Sequence, residues 1–301
     1  KKNTNYLRTM KRISTVLLLL FIGCIDYEFT TPDDNKPVIT DTAVITVDTE
    51  DTYQPPGPPV AVCDVTPNPI APPWEAATWI GENSYDPSGE AIVSYNWALI
   101  SSPAGSIATM PIGGSNRPDF VPEMAGAYVG QLIVSNASGD VSAPCTTTLE
   151  SIPAENLWIE MYWEHINDDM DLHLVAPGGS YNNLNTDCYY ANCTPTMGWV
   201  YNLDWGTPGY DGDDPSLDLD DIMAAGPENI NILDPQTNGT YTVIVHDYQG
   251  STSDVYGANN VTVNIYLNGS LTWTDTRAIS GDNTVNEFAE IDWSTGTVTS
   301  L

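Results

Sequence analysis

A chain of 301 residues carries 8 Lys and Arg against 40 Asp and Glu, a formal charge of −32 at pH 7. That length accommodates two domains of ordinary size, each with its own core. So acidic a surface repels phosphate backbones and anionic head groups and attracts cations, which excludes nucleic acid as a partner; solubility or adaptation to salty surroundings is the bland alternative for the same charge.

The charge is unevenly placed. Lys1, Lys2, Arg8, Lys11 and Arg12 all precede residue 24, and from Cys24 onward 3 basic residues face 40 acidic ones, a formal charge of −37. In Met10–Cys24, Lys11 and Arg12 lead into an apolar run from Val16 to Ile22, followed by Gly23 and Cys24. The run is too short for a membrane-spanning helix of about 20 residues and fits the core of an export signal over 1–23, with the start at Met10. Leu20, Phe21, Ile22, Gly23 and Cys24 resemble a bacterial lipobox, although Phe21 stands where Leu is usual. The resemblance implies a lipoprotein held through acylated Cys24 in the outer membrane or at the cell surface of a bacterial envelope. A plain secretory signal with an incidental Cys24 is the alternative.

Setting Cys24 aside leaves Cys63, Cys145, Cys188 and Cys193, an even number in an exported chain. Of the three pairings, Cys63–Cys145 with Cys188–Cys193 is favoured, the first tying the beginning of a domain to its end and the second closing a short loop. A zinc site at the CxxxxC pair has no second pair or histidine near it in sequence to support it. Residues 24–58, rich in Asp, Thr and Pro, read as a disordered acidic tether. As a flexible coil it spans on the order of 30 Å.

From Pro59 the chain turns to short β-prone runs: VAVCDV, AIVSYNWALI, AYVGQLIVSN, LWIEMYWEH, MDLHLVA, TYTVIVHDY, VTVNIYLNG and FAEIDW. Turn chemistry such as DPSGE, APGGS, TNGT, LNGS and SGDN separates them. The fold class is all-β, with two β-sandwiches over 59–152 and 153–301. The first resembles the polycystic kidney disease (PKD) family of immunoglobulin-like modules. It does so through the turn of Asp86, Pro87 and Gly89, through Ser94, Tyr95 and Trp97 of the central strand, and through Gly126 and Tyr128 of the return strands. ALISSPAGS replaces the glycine- and aspartate-rich turn usual after the tryptophan. The resemblance implies a spacer or adhesion module with Trp97 in its core. The second unit, expected to be jelly-roll-like, resembles an uncharacterised family of bacterial extracytoplasmic β-sandwich domains through DDMDLHLVAPGG, LDLDDIMAAGPENI and GTYTVIVHDY.

Strand alternation in DMDLHL sends Asp169, Asp171 and His173 to one face and Met170, Leu172 and Leu174 to the core. In SLDLDD it turns Leu217 and Leu219 inward and Asp218 and Asp220 outward. Carboxylates paired across neighbouring strands destabilise a sheet unless something intervenes, and calcium, which takes six to eight oxygen ligands, is the natural intervention. The expected metal ligands are Asp169, Asp171, Asp218, Asp220 and Glu228, the last aimed by the Gly226–Pro227 turn; a solvated strand edge is the competing explanation. A zinc or transition-metal site would recruit His173 and His246 with Asp171 and Asp247. Catalysis finds little support, because GxSxG, HExxH and the P-loop are all missing, which leaves a carboxylate-dependent glycan hydrolase as the remaining enzymatic alternative.

Tyr189, Tyr190, Trp199, Tyr201, Trp205 and Tyr210 crowd the loop braced by Cys188 and Cys193. Exposed and coplanar they would bind glycan, with Trp199, Tyr201, Trp205 and Tyr210 as the binding rings; collapsed, they are loop packing. The Asn-X-Ser/Thr sites at Asn136, Asn192, Asn238, Asn260 and Asn268 read as chance beside a lipobox. The expectation is an envelope lipoprotein for non-catalytic binding or adhesion, its partners a membrane through the anchor and a glycan or surface protein. A purely structural envelope protein is the rival.

Overall fold

The computed structural model describes residues 57–166, 168–195, 203–222, 224–249 and 257–301. The export signal, Cys24, most of the tether, Trp199 and Tyr201 lie outside the described residues. The described residues contain strands, turns and one 3₁₀ turn at Asp211–Asp213, and no α-helix.

The first half contains β1 (Asp64–Thr66), β2 (Ala77–Ile80), β3 (Ile92–Ser101), β4 (Arg117–Phe120), β5 (Gly126–Asn136) and β6 (Cys145–Ser151). They form two antiparallel sheets, in the orders β1-β2-β4 and β3-β5-β6, which share one core. β5 shows why: Tyr128, Leu132 and Val134 recur at every second position or its multiple and all face inward. Trp79, Phe120 and Tyr128 pack edge-on at 5.4 Å between centroids. Gly130 makes room for them, since a Cβ there would lie 2.5 Å from the Trp79 ring. Trp97 is buried as expected, and its Nε1–H donates to the Ser115 carbonyl at 2.9 Å. Asp86 and Gly89 form the expected turn, Gly89 at φ +82°.

The second half contains β7 (Leu157–Trp163), β8 (Met170–Val175), β9 (Asp187–Cys188), β10 (Ser216–Leu219), β11 (Glu228–Ile232), β12 (Thr240–Asp247), β13 (Asn259–Leu267), β14 (Ser270–Ile279), β15 (Val285–Asp292) and β16 (Thr297–Ser300). Two five-stranded antiparallel sheets, β10-β11-β7-β13-β14 and β16-β15-β12-β8-β9, close on a core that includes Leu172, Leu217, Ile230, Val243, Val263 and Phe288. β13 and β14 form a hairpin through Asn268 and Gly269, both at positive φ, the geometry of a type I′ turn.

Seven of the eight expected runs become long strands, and VAVCDV shrinks to β1. Prolines at 58, 59, 67 and 69 remove ladder donors around it, so Val60 keeps only an isolated bridge to Tyr85. β14 was not expected. Its sequence is polar because it is an edge strand with mostly exposed side chains. Both favoured disulfides form, Cys63–Cys145 and Cys188–Cys193.

Candidate cation site

β8 is buried on both faces. Met170, Leu172 and Leu174 enter the core, and Asp171 and His173 take the other face, as the alternation requires. That face is not open to water: Asp171 is 3 % exposed and His173 2 %. Tyr181 and Tyr189 lie against His173, their ring centroids 4.9 and 4.8 Å away. A solvated strand edge is therefore overturned at these two positions. The Cys188–Cys193 bond braces this cover. Asn192 inside the loop accepts from the Tyr189 N–H at 3.1 Å and donates to the Asp187 carbonyl at 2.6 Å.

The remaining acids come from the opposite sheet. Glu228 opens β11 and reaches across, its Oε2 accepting the Leu172 N–H at 2.8 Å. The preceding loop is clamped by Asp221, whose carboxylate accepts the Ala224 and Gly226 N–H groups at 2.9 and 2.8 Å. Gly226, at φ +82°, is required there because a Cβ would lie 3.0 Å from the Tyr162 backbone. Asp171, Asp220 and Glu228 each bring a carboxylate oxygen into one group, all within 4.8 Å of one another. Half-buried Asp169 joins Asp171, Asp220, Tyr190, Ile222 and Tyr248 in lining a cleft of about 280 Å³ at this point.

Asp218 is not part of the group. A register shift between Leu217 and Leu219 interrupts the alternation of β10, with the Leu219 N–H donating to Asn229 Oδ1. Asp218 instead accepts from Ser216 Oγ at 2.6 Å and Asn231 Nδ2 at 3.0 Å. Leu219 is only half-buried as a result, against the expected inward position.

The electrostatics are those of acids lacking counter-charge. Burial, then the charges of Asp171 and Asp220, pushes Glu228 well above its ordinary pKa. Asp171 rises to about 8 through burial and the charges of Asp169, Asp220 and Asp247. Asp169 rises to about 6, again first through burial and then through Asp220 and Asp221. The two arginines among the described residues are engaged elsewhere: Arg117 on the Gly114 and Tyr95 carbonyls, and Arg277 on Asp275 and the Glu287 and Phe288 carbonyls. Protons or a cation must therefore offset the repulsion.

A second group shares Asp171. His246 stands directly opposite it in the β8–β12 register, with Nδ1 3.2 Å from Asp171 Oδ2. Asp171, His173 and His246 also bring one ligand atom each within 4.8 Å of one another. Asp247, expected alongside the histidines, is not in this group. Asp187, which the sequence reading missed, holds His173 Nδ1 at 3.0 Å. Its signal was its place just before Cys188, where β9 pairs with β8.

Among the described residues of the aromatic loop, Trp205 is not part of a stacking platform. Trp205 is 4 % exposed, donates its Nε1–H to the Asn185 carbonyl at 3.0 Å and packs near Tyr241. Its proposed binding role is thereby corrected, because a ring with its apolar surface in the core and its one donor satisfied has no face left for sugar. Tyr210 is exposed, with its hydroxyl donating to Asp234. Asn136 and Asn192 are buried with hydrogen-bonded side chains, so neither can carry a glycan in this fold. No family model, curated protein or solved structure matches the chain.

Proposed function

We propose that this chain is a lipid-anchored bacterial envelope protein that acts as a non-catalytic binding or adhesion module stabilised by calcium. Its first sandwich is a PKD-like spacer, and its second presents the cation cleft. The observation that carries this reading is the group of Asp171, Asp220 and Glu228, buried or half-buried, drawn from two sheets and facing no arginine among the described residues. Oxygen donors alone, with Asp169 at the rim, suit a hard cation of flexible coordination. Calcium held there neutralises the carboxylates and offers its remaining coordination positions to ligand oxygens. Tyr190 and Tyr248, with centroids 5.8 Å apart, flank the opening and offer apolar faces to a glycan.

Calorimetric titration should show one calcium ion per chain, and calcium at 100 times its Kd should raise stability by about 2.7 kcal/mol. A chelator should reverse the rise in Tm, and Glu228→Gln should abolish the calcium response. A flat isotherm with a Tm indifferent to chelator would remove calcium from the reading. The anchor has its own test: mass spectrometry of the mature protein is expected to find a diacylated N-terminal Cys24, and an unacylated terminus elsewhere overturns it.

A further inference from the structure

We infer that Asp171, His173 and His246 form a second cation position, selective for a borderline transition-metal ion such as Zn²⁺, beside the carboxylate group. The inference shares Asp171 with the calcium reading but does not rest on it, since imidazole nitrogens are poor calcium ligands and good zinc ligands.

The hydrogen-bond partners decide which nitrogens are available. His173 Nδ1 faces Asp187 Oδ2 at 3.0 Å, and the same oxygen accepts the Asn182 N–H at 2.6 Å, so Asp187 acts as an acceptor and His173 carries its proton on Nδ1. Nε2 is then a bare lone pair. It is buried, in a residue 2 % exposed, and no hydrogen-bond partner reaches it. His246 Nε2 faces Asn283 Oδ1 at 2.9 Å and donates to it, which in the neutral ring leaves Nδ1 as the lone pair.

That lone pair meets Asp171 Oδ2 at 3.2 Å. Two acceptors so close repel unless a proton or cation lies against both. The separation is near the edge of a tetrahedron with ligands about 2.0–2.1 Å from the ion, which is about 3.3 Å. His173 contributes the third ligand atom of a set lying within 4.8 Å of one another, and Nε2 is the nitrogen that Asp187 leaves for it. Asp187 and Asn283 then stand where outer partners of metal-bound imidazoles stand, holding the ring nitrogen that faces away from the ion. A half-enclosed cleft of about 330 Å³, lined by His173, His246, Tyr181, Tyr189 and Asn283, supplies an entry path and a free coordination position.

The test uses the intact wild-type protein, chelator-treated and titrated separately with Zn²⁺, Co²⁺ and Ca²⁺. One equivalent of Zn²⁺ should bind, and Co²⁺ should give the visible d–d absorption of a low-coordinate ion. His173→Ala should abolish stoichiometric Zn²⁺ binding, and Asp187→Asn should weaken it about 10–100-fold. Histidine ¹⁵N spectra of the chelator-treated wild type guard against unfolded variants. At a pH where both rings are neutral, they should show His173 protonated on Nδ1 and His246 on Nε2. The reversed tautomers, or no zinc isotherm, overturns the inference. A silent zinc titration with an intact calcium isotherm overturns this site alone; a silent calcium titration with intact zinc binding overturns only the calcium reading.

Discussion

Replacing Cys63 and Cys145 with serine should destabilise the first sandwich by about 4.5 kcal/mol. The bond joins the segment before β1 to the first residue of β6, 82 residues apart in sequence, so it removes much of the freedom of the unfolded chain. The loop-entropy relation gives only about 2 kcal/mol for Cys188–Cys193, whose partners are 5 residues apart. The order of the two effects is therefore predicted as well as their size. Denaturant unfolding should show the midpoint of one transition falling steeply in Cys63→Ser/Cys145→Ser while the slope of that transition is kept. A loss below about 1 kcal/mol would mean that the unfolded chain is already compact around this pair. The Cys188→Ser/Cys193→Ser variant also tests the proposed metal binding, because that loop carries Tyr189 against His173 and Tyr190 into the cleft beside Asp171.

Glu160→Gln should stabilise the protein by about 3 kcal/mol at pH 8 and by almost nothing at pH 4. Glu160 lies on the face of β7 turned away from its own core, fully buried beside Trp158, Ala125 and Tyr266. It accepts hydrogen bonds from the Ala125 N–H of the first half and from Trp158 Nε1–H. Burial outweighs those bonds and lifts its pKa from 4.5 to about 7. Because the folded value lies above the unfolded one, the unfolded chain releases the proton first. Stability is full below pH 4.5, falls as pH rises to about 7, and is level beyond. Glutamine keeps an acceptor oxygen for both donors and does not titrate, so the difference between the two proteins isolates this one group. Urea midpoints at several pH values measure it, and a difference independent of pH would refute the account. Glu160 was invisible in LWIEMYW, which reads as a strand without showing that the first half covers its outer face.

The local features of this protein were legible because they depend on neighbours in sequence. The period of two in MDLHLV and TYTVIV, the NG turn between β13 and β14, and the two cysteine pairs all lead directly to the all-β fold and its staples. The inward leucines and outward acids of β8 follow from the same alternation. What lies over those acids does not, because the tyrosines come from loop positions 8 and 16 residues away from His173 in sequence and His246 comes from β12. A bulge in β10 separated Asp218 from Asp220, and the meeting of two sheets brought Glu228 to Asp171. Sequence by itself determined which residue types stand on each strand face. Only tertiary structure decided which faces lose their water, and desolvation is what sets this group of acids apart from an ordinary acidic surface.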